Sequence, residues 1–122
     1  MDRLTSNIVP PDGPLDAKIL FVGEAPGEEE DELGTPFVGA AGQLLNRCLS
    51  SKAILRSEVL VHNIFSQRPP RNEIKYFFKD KSCRFPNWEG EEHIRAFTEF
   101  LTKVNSIGYA YDFVGDSVDD SA

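Results

Sequence analysis

The residues Ile19-Leu20-Phe21-Val22, entered through Lys18, form an unbroken apolar run that stops at Gly23. A short run without polar alternation marks a strand covered on both faces, and such a strand sits in the interior of its sheet. Helices must then lie above and below it. A second run, Val59-Leu60-Val61-His62-Asn63-Ile64-Phe65, supplies a neighbour. Between the two, Leu44, Leu45, Cys48 and Leu49 share one face of a helix spanning Gln43 to Leu49. Strand, helix, strand in this order is the unit of a parallel sheet with a right-handed crossover.

The remainder fits the same scheme. Glu91-Glu92 is expected to open a helix whose stripe is Ile94, Phe97, Phe100 or Leu101, and Val104, with Gly108 as its stop. A third strand is expected between Tyr109 and Val114. The prediction is an α/β fold of three α/β/α layers with three to four mostly parallel strands. It forms one domain over residues 1–122, with an irregular Pro-rich lead-in to residue 16 and a frayed acidic tail from 116. At 122 residues the chain can bury a sizeable core.

Charge and cysteines narrow the partners. A net charge of −7 excludes a uniformly basic nucleic-acid coat, while leaving room for a local basic patch. Cys48 and Cys83 are far apart, so neither a disulfide framework nor a zinc knuckle is indicated. The longest apolar runs fall well short of a membrane span, and a soluble cytoplasmic protein with no membrane partner is expected.

The turn after the first run is the chemical centre. Gly23-Glu24-Ala25-Pro26-Gly27 lies beyond the carboxyl end of a strand, where open parallel sheets bind their ligands. Its glycines let backbone N–H groups approach a ligand, and Pro26 fixes its shape. No lysine follows in the manner of a phosphate loop, and G-x-G-x-x-G is absent. A flat or anionic ligand other than a nucleoside triphosphate is indicated. The acidic run Glu28 to Glu32 is read as a solvated loop rather than a metal site, since adjacent carboxylates diverge. His62 faces away from Asn63 along its strand and is read as structural.

Two spaced blocks carry a family resemblance. Gly23-Glu24-Ala25-Pro26-Gly27, Glu30-Asp31, Gly34-Thr35-Pro36-Phe37-Val38-Gly39 and Ala41-Gly42-Gln43-Leu44-Leu45 make up the first. Val61-His62-Asn63-Ile64 with Arg68-Pro69-Pro70 and Asn72 makes up the second. Together, over residues 17–72, they resemble the uracil-DNA glycosylase superfamily, in particular its iron–sulfur family 4. The resemblance implies base flipping out of DNA, with uracil in single-stranded or mispaired DNA as the substrate. It implies stacking by Phe37, reading of the polar edge of uracil by Asn63, and backbone contacts from Ala25, Pro26 and Gly27. Glu24 would be the catalytic carboxylate beside the sugar, and Glu30 would shape the pocket wall. Arg68, with Arg71 and Lys75, would hold the DNA backbone.

The same resemblance exposes departures. Family 4 binds its cluster through four cysteines, whereas the lead-in here has none and Gln67 stands at one of the family's cysteine positions. No cofactor and no metal are therefore expected. The family's later His-Pro-Ser loop has no counterpart, which makes a C-terminally shortened member with weak or incomplete glycosylase activity the expectation. Alternatives from other classes are an inactive DNA- or protein-binding module associated with a replication or repair protein, and an acidic interaction protein. From Arg68 to Trp88, cations alternate with aromatics. That segment fits either a single-strand binding surface or a loop layer over the core.

Overall fold

The computed structural model describes residues 4–104 and the backbone of 109–112. Its elements in chain order are β1 (Ile19–Gly23), α1 (Glu28–Leu33), α2 (Ala40–Ser51), β2 (Leu60–Asn63), α3 (Trp88–Lys103) and β3 (Tyr109–Asp112). The sheet is wholly parallel in the order β2-β1-β3, so the most apolar run is the central strand. Leu20 is level with Leu60 and Gly23 with Asn63, while Ile19 is level with Tyr109.

Alternation along β1 and β2 sorts the core onto two faces. Phe21, Val59 and Val61 cluster with Leu45 and Leu49 of α2 and with Phe37. Leu20, Val22 and Leu60 cluster with Ala17 and Val104, and Phe97 and Phe100 of α3 pack against them. This is the three-layer arrangement, with α2 and α3 on opposite sides of the sheet. Among the described residues no helix is long and apolar enough to cross a membrane.

Several expectations are corrected. The acidic run is not a solvated loop but the helix α1, entered at Gly27 and closed at Gly34 in the left-handed region at φ 71°. Carboxylates in the first turn of a helix are favoured by its dipole, and the turn buries Glu30. Cys48 lies on the exposed side of α2, whose buried positions are Ala41, Gly42, Leu45 and Leu49. Helix α3 begins at Trp88, three residues earlier than expected, because the Asn87 side chain accepts from the Gly90 N–H. On the sheet side of α3, Phe100 packs while Leu101 remains 42% exposed. Helix α3 ends before Gly108, which lies outside the described residues together with residues 113–122 and the acidic tail.

The lead-in also has a defined course. Asp12 exchanges backbone hydrogen bonds with Val61 at 2.9 and 2.8 Å, and the Val9 N–H donates to Ser66 O at 2.8 Å. Val9 is fully buried. The segment therefore lies along the outer edge of β2. His62 is buried against Phe100 and Phe97, with ring centres 4.6 and 5.9 Å away. Burial pushes its pKa down to about 4. Phe77 is fully buried and stacks parallel on Phe65 at 4.3 Å, so this aromatic of the basic segment belongs to the core.

Candidate active site

The site begins at the paired ends of β1 and β2. Gly23 and Asn63 stand level, and strand pairing continues into the turn as Ile64 N–H donates to Gly23 O and Phe65 N–H to Glu24 O. A β-carbon at residue 23 would collide with Asn63 Oδ1 and would lie 2.7 Å from Phe37 Cζ. Glycine is thus required here by close approach. The consequence is that the Phe37 ring, the Asn63 carboxamide and the start of the Glu24 turn converge on one point. Asn63 is 3% exposed as a residue, and its carboxamide makes no hydrogen bond among the described residues while not belonging to the fully buried unpaired atoms, which are Arg56 Nε and His62 Nδ1.

Phe37 is fixed from three directions. Its backbone is in the left-handed region at φ 58°, an unfavourable conformation for a bulky residue that its surroundings must enforce. Arg56 clamps the loop by donating to Phe37 O at 3.1 Å and Pro36 O at 2.8 Å. Gly42 of α2 packs so closely on the Phe37 carbonyl that no β-carbon would fit. On the third side, Glu30 Oε2 accepts from Val38 N–H at 3.0 Å and Gly39 N–H at 2.6 Å. The ring itself is also part of the core cluster on the α2 side of the sheet.

Glu30 therefore acts as a brace. Its other oxygen, Oε1, accepts from Gly27 N–H at 2.9 Å, so one buried carboxylate ties the Glu24 turn to the Phe37 loop and the start of α2. The Gly27 amide is committed to that bond. Pro26 is fully buried, and Ala25 is half-buried. Glu24 is half-buried too, and its carboxylate has no partner among the described residues. Partial desolvation pushes its pKa above the ordinary carboxylate value.

Beside these groups opens a cleft of about 260 Å³ between the starts of α1 and α2, lined by Glu28, Glu29, Glu30, Gly39, Ala40 and Asn72. Glu24, Phe37 and Asn63 are not part of its lining. The loop after β2 borders it. Arg68 there donates to Asn72 Oδ1 at 2.7 Å and lies 4.0 Å from Glu28. Arg71 and Lys75 are farther out, and both pair with Glu73 at 3.2 and 3.1 Å. The hydrogen bond from Lys75 holds the Glu73 carboxyl below its ordinary range.

Arg56 was not singled out by sequence. It lies in a polar connection without periodicity, and only the fold brings it under the Phe37 loop. Nor do the residues suit an iron–sulfur cluster. Cys48 is on the exposed side of α2 and Cys83 in the loop before α3, while Gln67 donates through Nε2 to Ser6 O at 2.7 Å. A hydrogen-bonded clasp thus joins the lead-in to the loop after β2. Among the described residues no group of three or more His, Cys, Asp or Glu could hold a metal ion.

Known proteins with similar sequences identify the family. The chain is similar to the type-4 uracil-DNA glycosylase of Thermotoga maritima, with 51% identity over 67 residues, or 55% of this chain and 35% of that protein. The type-4 enzymes of Pyrobaculum aerophilum and Archaeoglobus fulgidus are 46% and 47% identical over 72 residues, or 59% of this chain and 37% and 36% of theirs. The match thus spans about a third of the length of these curated relatives. Residues 10–106 match the family profile described as the uracil DNA glycosylase superfamily, covering both strand ends and the loops they carry. The chain belongs to the uracil-DNA glycosylase superfamily.

Proposed function

We propose that this protein recognises a flipped uracil-type base in single-stranded or mispaired DNA and hydrolyses its N-glycosidic bond, as a step of base excision repair. The observation that carries this reading is the Asn63 carboxamide, 3% exposed and without an internal partner among the described residues, beside Gly23 and the Phe37 ring. A complementary ligand edge would supply the hydrogen bonds that this carboxamide does not make within the chain. An amide presents one donor side and one acceptor side, which match the adjacent N–H and carbonyl of uracil. Cytosine offers the reverse order on the same edge.

Glu24 takes the chemical role. Its carboxylate would orient a water molecule and accept its proton as the oxygen adds to C1′, while the electron pair of the breaking C1′–N1 bond leaves with the base. The same negative charge stabilises the oxocarbenium character that develops on the sugar. Arg68, beside Glu28 at the edge of the cleft, and Arg71 and Lys75 farther out would meet DNA phosphates, displacing Glu73 from the latter two.

The test is uracil release from single-stranded and mispaired oligonucleotides beside an unmodified strand. Release that disappears in Glu24→Gln and Asn63→Ala, both still folded, supports the proposal. Uracil-selective binding without release would remove hydrolysis and leave recognition. Neither release nor uracil-selective binding would overturn both.

A further inference from the structure

Residues 78–86 form a closed loop with its own internal bracing. Phe78 and Pro86 pair as an antiparallel bridge, and Lys79 N–H donates to Phe85 O at 2.7 Å. Inside the loop the Asp80 carboxylate accepts from the Ser82 hydroxyl, from Phe85 N–H at 2.8 Å and from Arg84 N–H at 3.2 Å. The one acidic side chain of the loop is thereby turned onto its own backbone. Lys79, Lys81, Arg84 and Phe85 are left exposed. Phe85 is 58% exposed, and the Arg84 guanidinium lies 5.6 Å from the centre of its ring. Among the described residues none of these three cations has an ion-pair partner.

A single exposed aromatic is ordinary, and so is a surface lysine. Their combination on a braced loop, in a chain of net charge −7, is what calls for a partner. The loop's position supplies the direction. It grows from Phe77, which is stacked on Phe65, and Phe65 follows Asn63 by two residues. The loop is thus anchored at the carboxyl end of the sheet, the end that carries the Glu24 turn.

We propose that this loop is a second nucleic-acid contact: Phe85 stacks on an unpaired base flanking the one in the pocket, and Lys79, Lys81 and Arg84 meet the adjoining phosphates. It rests on the reading of the pocket as a base site. Single-stranded DNA suits the surface better than duplex, because an exposed ring offers stacking that only an unstacked base can use. An acidic peptide would satisfy the cations and leave the ring without a purpose.

The experiment is fluorescence anisotropy of the full chain with a uracil-free single-stranded oligonucleotide at several salt concentrations, run beside uracil release. Phe85→Ala is expected to weaken binding about tenfold and Phe85→Trp to restore it. The double variant Lys81→Ala with Arg84→Ala should lower the salt slope by about 1.4, at roughly 0.7 for each lost phosphate contact on a single strand. Far-UV circular dichroism and thermal midpoints should match the parent, since these side chains are exposed. Unchanged binding in all three variants overturns the proposal, as does equal competition by an acidic peptide or failure to bind the uracil-free strand. None of these results bears on Asn63. Conversely, loop-dependent binding with no preference for uracil would sink the pocket reading and leave the loop standing as a strand-binding surface.

Discussion

Asn63 and Gly23 end neighbouring strands in register, and Asn63 Oδ1 occupies the space that a β-carbon on residue 23 would need. The Asn63 carboxamide and the absence of a side chain opposite it are one feature.

Gly23→Ala is therefore expected to displace both the carboxamide and the Phe37 ring. Overpacking of this kind costs about 1–3 kcal/mol. Urea denaturation should register that loss, and uracil-selective binding should vanish while the loop at 78–86 still holds DNA.

Glu24→Gln should separate chemistry from stability. Burial raises the pKa of Glu24, so the fold favours its protonated form. Stability from this group is full below the ordinary carboxylate pKa and is lost as pH rises through the raised value. Replacing it with the neutral amide is expected to raise the melting temperature at neutral pH, by an equivalent of less than about 1 kcal/mol for a group still partly in solvent. Uracil release needs the ionised form and should climb with pH through the same raised value. A pH–rate profile of the parent and melting curves of both proteins at pH 4 and 7 check the two signs.

Glu30→Ala removes a buried acceptor from the amides of Gly27, Val38 and Gly39 together. Each hydrogen bond to a charged group contributes about 1.5–3 kcal/mol, and coupling among the three makes a loss of about 3 kcal/mol or more the expectation. Glu30→Gln keeps the shape and should fall between the parent and the alanine variant. Denaturant midpoints rank the three.

His62 should make the fold acid-sensitive before its carboxylates do. Its pKa falls from an ordinary 6.5 to about 4, so the unfolded chain takes up a proton that the native chain refuses. Stability is full above pH 6.5 and declines as pH drops toward 4, by about 3 kcal/mol in all. His62→Leu should flatten that part of the curve, measured by denaturant unfolding at pH 7, 6, 5 and 4.

The layers were legible because β1, β2 and α2 carry their periods openly. Leu20 and Val22 face one side, Phe21 the other, and Leu45 and Leu49 repeat at helical spacing. Helix α1 was not legible. Six residues with five carboxylates show no apolar stripe, and its signals were the glycines at either end. That the Glu24 turn, Phe37 and Asn63 come together was expected from strand order and from the family resemblance. The brace and the clamp behind it did not, since Glu30 resembles its acidic neighbours until the fold buries it, and Arg56 acts across 19 and 20 residues of chain. Phe77 was hidden for a related reason. Its burial depends on Gly90, which lets α3 approach the Phe77 carbonyl more closely than any side chain would permit.

The strap formed by Asp12 against Val61 has a consequence for how these molecules meet one another. An open strand border is a template on which a second copy can polymerise, and here that border of β2 is already spoken for by the chain's own backbone. Enlargement of the sheet past β2 is thereby closed to a neighbouring molecule.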